Sequence, residues 1–291
     1  MLNLKVYDVP EKSTWCPRCG DFGILAAIKQ ALAILDLAPH QIHLFSGIGC
    51  GSKLPHYMNA YAYNTIHGRS LPVGTGFRLV NQDMPVICVT GDGDGYGIGG
   101  NHFIHTARRN PNIVHLVENN QVYGLTKGQY SPTSDSGYVT TTSPEGSIEF
   151  ALNPIAVAMA AGATFVARSF SSDPKHLAWV ISEAIKHKGY ALVDILQPCI
   201  TFNKINTKEW YQSRVYKVQD EAGYDFTNRE KAWAKAQEWG DKIPTGILWK
   251  HERETYEEQV PVISKGVSPY RRDISTQSIQ AEWDKVKAMF C

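Results

Sequence analysis

Through its first 200 residues the chain alternates short apolar runs with stretches whose apolar positions recur at helical spacing. That alternation predicts a parallel sheet with crossover helices. Asp21 can cap a helix whose stripe carries Ile24, Leu25, Ile28, Leu32 and Leu35. Residues 42–46 read as a strand running into Gly47-Ile48-Gly49-Cys50-Gly51, and residues 85–90 as a second ending in Gly91-Asp92-Gly93-Asp94. A helix over residues 100–109 leads to a third strand, 113–117, followed by Glu118-Asn119-Asn120. Asn153-Pro154 and Asp173-Pro174 open two more helices, proline being favoured in a first turn. Residues 163–168 and 190–196 are strands, the last reaching Gln197-Pro198-Cys199. The longest apolar stretch, 155–167, is too short to span a bilayer and reads as buried core.

After about Asn203 the pattern changes to a charged, Trp-rich segment with helices expected over 229–239 and 278–289 and no α/β alternation. The expected architecture is therefore an α/β domain over residues 1–203, a parallel sheet with helices on both faces. A charged helical C-terminal tail over 204–291 would pack on that core or on a partner.

Ligands of open parallel sheets bind beyond the carboxyl ends of the strands. The loops at Cys50, Asp92, Asn119-Asn120 and Cys199 each follow an expected strand directly, so all four belong to one edge. Cys16 and Cys19, just ahead of the first helix, can reach the same edge. Six cysteines in 291 residues are too few for a disulfide scaffold. Cys88 lies inside an apolar strand as a small core residue, and Cys291 ends the sequence with no evident role. A net charge of +1 with dispersed Lys and Arg gives no support for nucleic-acid binding. The first residues lack an apolar leader, which fits a cytoplasmic protein.

Gly91-Asp92-Gly93, a 25-residue interval, and Asn119-Asn120 form the most informative spacing. Glycines allow a diphosphate close to the backbone. Mg²⁺ takes oxygen ligands in near-octahedral geometry, which Asp92, the amide of Asn120 and the carbonyl of Val122 can supply. A competing reading is present: Gly95-x-Gly97-x-x-Gly100 matches a dinucleotide fingerprint, with Glu118 as the ribose-binding acid. It implies a nicotinamide dehydrogenase but leaves Asp92, Asp94 and Asn119-Asn120 without a role. A plain glycine-rich turn explains neither loop end.

The segments TWCPRCGDFGILAAIKQAL, SGIGCGSKLPHY, HGRSLPVGTG, GDGDGYGIGGNHFIHTARRN, ENNQVYGLTKGQYSPTS, NPIAVAMAAGATFVAR and LVDILQPCITFN resemble, in order, the β subunit of 2-oxoacid:ferredoxin oxidoreductases. The resemblance is strongest to the bacterial 2-oxoglutarate:ferredoxin type and covers roughly Thr14 to Asn203. It implies a pyrophosphate-type thiamine diphosphate domain with Mg²⁺ on Asp92, Asn120 and Val122. It also implies a [4Fe–4S] cluster on Cys16, Cys19, Cys50 and Cys199. Ile48, Gly49, Gly91, Gly93, Asp94, Gly124, Leu125 and Thr126 are the remaining candidate cofactor contacts. The sequence departs from the family at Arg18, where glycine is usual, and at Gly51, where serine is frequent.

Four thiolates also suit structural zinc, and Cys16-x-x-Cys19 alone suits a redox dithiol. A dithiol leaves Cys50 and Cys199 unexplained. Thiamine-dependent oxidation needs an electron acceptor, and no flavin or lipoyl motif is present to provide one. The implied reaction is oxidative decarboxylation of 2-oxoglutarate, less readily pyruvate, with coenzyme A, to acyl-CoA and CO₂. Electrons would leave through the cluster to ferredoxin, and the reaction is reversible in principle. Lys53 is a candidate partner for the distal carboxylate of 2-oxoglutarate. His67 and Arg69 are candidates for the 2-oxo carboxylate, Leu125 for the cofactor ring or substrate, and Lys127 for coenzyme A phosphates. Thiamine activation requires a carboxylate from a pyrimidine-binding domain, for which this chain has no room. An α subunit must supply that glutamate, in an assembly of the (αβ)2 kind.

Overall fold

The computed structural model describes every residue except Met1, Lys265, Ile274 and Cys291, and leaves the side chains of residues 276–278 undescribed. The terminal Cys291 thus lies outside the described residues.

Among the described residues there are ten strands: β1 (His43–Ser46), β2 (Tyr61–Asn64), β3 (Val86–Gly91), β4 (Ile113–Asn119), β5 (Val122–Tyr123), β6 (Gln129–Tyr130), β7 (Phe165–Phe170), β8 (Tyr190–Leu196), β9 (Val215–Lys217) and β10 (Ile243–Lys250). Eight form one sheet in the order β2-β1-β3-β4-β8-β7-β10-β9, and β5 and β6 make a separate antiparallel pair. Pairing in the large sheet is parallel except where β10 runs against β7.

Helices α1 (Asp21–Ile34), α2 (Ser70–Val80), α3 (Gly100–Arg109), α4 (Pro154–Ala161), α5 (Pro174–Lys186), α6 (Lys208–Gln212) and α7 (Arg229–Ala236) surround it. Successive side chains of a strand point to opposite faces, and here both faces are covered. On one face α1 and α5 pack Ile24, Ile28, Leu177 and Ile181 against Ile87, Val114, Leu116 and Val193. On the other, α2, α3, α4 and α7 bring Leu71, Phe103, Ile155 and Ala232 against Val86, Cys88, Val117 and Leu192. Cys88 is fully buried, as its apolar strand predicts. Asn153 and Asp173 cap α4 and α5, each side chain accepting a backbone N–H in the first turn, with proline following.

The helical tail expected after Asn203 is corrected. Residues 229–236 are helical and a final helix covers Thr276–Ala288, but β9 and β10 intervene and extend the main sheet. β10 escaped the pattern because Pro244 and Gly246 interrupt it and the register shifts between Ile247 and Trp249. β2 and α2 were also unforeseen; every residue of β2 is exposed, so no apolar alternation marks it.

Four neighbouring strands, β1, β3, β4 and β8, deliver the four loops of interest side by side. The candidate residues thereby meet at one sheet edge.

Candidate functional site

Cys16, Cys19, Cys50 and Cys199 line one cavity of ≈220 Å³. Lys53, Asn120, Gly124, Leu125, Lys127, Thr14, Trp15, Gln197 and residues 200–202 complete its wall. All four cysteines are free thiols. Two neighbours bond the sulfurs directly: Gln197 Nε2 donates to Cys19 Sγ and Thr201 Oγ1 to Cys16 Sγ, each at 3.2 Å. Trp15 Nε1 donates to the Cys50 carbonyl at 2.7 Å and fixes the N-terminal segment to the β1 loop. The turn between the first two cysteines closes through Cys19 N to Cys16 O at 3.0 Å, with Arg18 in the left-handed region at φ 68°. That backbone accounts physically for a glycine preference at this position.

Burial pushes the Cys50 thiol up to about 11, helped by Asp21 and Cys199, and raises Cys19 for the same first reason. A bound metal group would reverse this by stabilising thiolates. Among the described residues no three His, Cys, Asp or Glu side chains are gathered for a single metal ion. Four cysteines around a shared cavity suit a group larger than one ion. The donor set and cavity fit an iron–sulfur cluster.

Asp92 stands at the end of β3, one residue before a π-helical turn, Gly93–Ile98. Its side chain is buried, and Oδ2 accepts from Ser131 Oγ and from Thr133 Oγ1, the latter at 2.6 Å. Burial raises its pKa to about 6, against the opposing effect of those hydroxyls and the Gly93 backbone. No cation is among these partners, so a divalent ion would supply the missing countercharge.

Asn120 and Val122 flank Gln121, whose φ is 58°. Asn120 Oδ1 accepts from Val122 N at 3.1 Å, and the Asn120 carbonyl accepts from Asn203 Nδ2 at 3.1 Å. Gln121 is held by Thr133 O at 2.6 Å, Ser134 Oγ at 2.6 Å and Tyr211 OH at 2.9 Å. Nothing lies within 4 Å of a Cβ built on Gly49, where φ is 138°, leaving open space at the loop for a diphosphate. The acidic, amide and glycine positions therefore fit a magnesium–diphosphate group.

Asp94 acts differently from its neighbour. Its Oδ1 accepts from Ile48 N at 3.1 Å and Gly68 N at 2.7 Å, and lies 2.6 Å from His67 Nδ1. Its buried carboxylate thus ties three loops together and raises its own affinity for a proton by desolvation. His67 is thereby brought to the β1 and β3 loops. Arg69 is exposed at the start of α2 and is not among the residues lining the cysteine cavity. Lys53 is half-buried with Nζ 3.3 Å from Thr14 Oγ1, and Leu125 is 45% exposed. Thr126 Oγ1 donates within its own hairpin, to Gln129 Oε1 at 2.6 Å.

The dinucleotide reading fails. A Cβ on Gly95 would meet Thr90 Oγ1 at 2.5 Å, and one on Gly97 the Tyr123 hydroxyl at 2.6 Å, so these two glycines serve close packing of protein against protein. Glu118 is buried against Asp21; burial raises the proton affinity of both carboxyls, and the Asp21 charge raises that of Glu118 further. Ser131, Thr133, Trp15 and Gln197 are the contributors that the sequence left without roles; only their place beside the glycine and cysteine loops pointed to them.

Residues 47–195 match the family model for the C-terminal TPP-binding domain of thiamine pyrophosphate enzymes. Residues 199–265 match that for the C-terminal part of the pyruvate ferredoxin oxidoreductase beta subunit. The fold and site thus define a thiamine-enzyme subunit. The beta subunit of 2-oxoacid:ferredoxin oxidoreductase 1 from Aeropyrum pernix is 47% identical, over 85% of this chain and 81% of the relative. The 2-oxoglutarate oxidoreductase subunit KorB of Mycobacterium tuberculosis is 46% identical, over 74% of this chain and 59% of its own. The 2-oxoglutarate:ferredoxin oxidoreductase of Magnetococcus marinus, solved with 2-oxoglutarate, coenzyme A and succinyl-CoA, superposes with a TM-score of 0.88. It is 37% identical, over 96% of this chain and 95% of that one. The chain belongs to the β subunits of the 2-oxoacid:ferredoxin oxidoreductases.

Proposed function

We propose that this subunit supports coenzyme-A-dependent oxidative decarboxylation of 2-oxoglutarate, with electrons leaving through a [4Fe–4S] cluster to ferredoxin. The observation that carries the reading is that Asn120, Gly124 and Leu125 share the wall of the cysteine cavity. The metal–diphosphate loop and the electron-accepting site are thus neighbours. Thiamine diphosphate, when bound, supplies the electron sink that lets the 2-oxoacid lose CO₂. Asp92, Asn120 and the Val122 carbonyl hold Mg²⁺ against the diphosphate, and Gly49 leaves it room. Cys16, Cys19, Cys50 and Cys199 hold the cluster.

Lys53 faces the same cavity and pairs with the distal carboxylate of 2-oxoglutarate, a group pyruvate lacks. His67, oriented by Asp94, can move a proton at the substrate, while exposed Arg69 meets its carboxylate from α2 or the partner's edge of the site. The activating glutamate comes from an α subunit, in an (αβ)2 assembly. Residues 204–291 act as a C-terminal unit that braces the first 203. No helix among the described residues is long and apolar enough to cross a membrane, and the cytoplasm is the proposed location.

The test uses the chain co-expressed with its partner and purified without oxygen. Coenzyme-A-dependent reduction of a viologen dye is expected with 2-oxoglutarate above pyruvate. Turnover by the isolated chain, or none by the pair, contradicts the reading.

A further inference from the structure

Arg168 and Asp194 are buried to 2% and 0% exposure on the paired strands β7 and β8, in direct register. Arg168 Nε donates to Asp194 Oδ2 at 3.1 Å. Such a pair is a poor source of stability, because taking both charges out of water offsets most of their attraction. Neither side chain lines the cysteine cavity. Their geometry supplies another use.

Asp194 Oδ1 accepts from Asn119 Nδ2 at 3.0 Å and from Tyr96 OH at 3.1 Å. That bond fixes which way the Asn119 amide faces, so its Oδ1 stands 2.9 Å from Thr133 Oγ1. The same Thr133 hydroxyl lies 2.6 Å from Asp92 Oδ2. A continuous buried chain, Arg168–Asp194–Asn119–Thr133–Asp92, therefore runs across β7, β8 and β4 to the carboxylate at the end of β3. Trp239, from the segment after Asn203, covers the guanidinium with its ring centre 5.3 Å away. Arg168, Asn119, Thr133 and Trp239 also border a cavity of ≈150 Å³ behind the chain, and Arg168 Nη1 has no partner.

We propose that Arg168 is a positioning residue for the metal ligand Asp92, acting through Asp194, Asn119 and Thr133. The inference rests on the magnesium–diphosphate reading of Asp92. Asp194 with its counterion holds the Asn119 amide in one orientation, and that amide limits where the Thr133 hydroxyl can stand. Thr133, its one hydroxyl proton shared between Asn119 Oδ1 and Asp92 Oδ2, in turn keeps Asp92 Oδ2 in place. Outer partners of metal ligands commonly change metal affinity by about 10- to 100-fold when lost.

The experiment is a double-mutant cycle in the complex with its partner subunit, with Arg168→Lys, Thr133→Val and both together. Mg²⁺ is titrated in the presence of thiamine diphosphate, and binding is read by calorimetry and by tryptophan fluorescence. Each single variant is expected to weaken Mg²⁺ binding about tenfold, and the double variant to lose little beyond the larger single effect. Effects that multiply in the double variant, or an Arg168→Lys protein with wild-type affinity, overturn the proposal. Should Arg168→Lys fail to assemble, Arg168→Gln, which keeps a side-chain N–H for Asp194, replaces it in the cycle, and multiplying effects or wild-type affinity in that variant overturn the proposal equally. A wild-type complex that binds no Mg²⁺ with thiamine diphosphate defeats the metal–diphosphate reading itself, and is distinguishable on that ground.

Discussion

Cys50 and Cys199 converge on a single glycine: a Cβ placed on Gly124 would stand 3.8 Å from the Cys50 sulfur and 3.6 Å from that of Cys199. Both distances are ordinary contacts, so Gly124→Ala fits the thiol form of the chain. A methyl group there occupies space beside the two thiolates that must hold a cluster. The variant is expected to melt within a few degrees of the parent yet retain less than about half its iron, since the loss falls on the metal group rather than on packing. Iron analysis beside a melting curve checks both halves.

Burial raises Asp92 to about 6, above its value in an unfolded chain. A raised carboxyl contributes stability that is full below the unfolded value, near pH 4, and is lost as pH rises through about 6. The metal-free protein therefore loses this contribution between those limits. Mg²⁺ requires the ionised form, so its affinity runs the other way and falls about tenfold per unit below pH 6. Titrations of Mg²⁺ with thiamine diphosphate at pH 5 to 8 should show that slope, and Asp92→Asn should abolish it together with tight binding.

Lys53 Nζ, 3.3 Å from Thr14 Oγ1 at the cavity wall, is expected to discriminate between substrates. Loss of a charge-assisted bond to a carboxylate costs about 1.5–3 kcal/mol. Lys53→Ile should raise the KM for 2-oxoglutarate by at least about tenfold and leave pyruvate nearly unchanged. Equal losses on both substrates would remove Lys53 from that role.

The left-handed backbone at Arg18 makes the position tolerant of glycine. Relief of roughly 1–2 kcal/mol of backbone strain is set against about 0.5–1 kcal/mol of extra chain entropy. Arg18→Gly is accordingly predicted to be neutral or stabilising by up to about 1.5 kcal/mol, and Arg18→Val destabilising. Denaturant midpoints of the two variants measure the difference.

Much of this site could be read before any fold was known. Asp92, Asn120 and the four cysteines each follow a strand or precede a helix whose apolar pattern is plain, and the neighbouring order of β1, β3, β4 and β8 gathers them. Other features depend on contacts that no local pattern records. Glu118 occupies the position a ribose-binding acid would take, but its side chain turns inward to Asp21. Asp94 and Asp92 look alike in the sequence, yet one ties loops through backbone N–H groups while the other faces Ser131 and Thr133. β10 was hidden by Pro244 and Gly246, and with it the placement of Trp239 over Arg168.

Thiamine-dependent oxidation at Asp92 and Asn120 is expected to feed electrons to a cluster on Cys16, Cys19, Cys50 and Cys199. The most direct measurement is electron paramagnetic resonance of the complex with its partner, purified without oxygen and frozen after addition of 2-oxoglutarate and coenzyme A. Iron and sulfide in equal amounts, with a reduced-cluster signal that needs both additions and vanishes in Cys199→Ser, is the predicted result. A protein carrying zinc in place of iron, or iron that stays oxidised while coenzyme A is consumed, would contradict it.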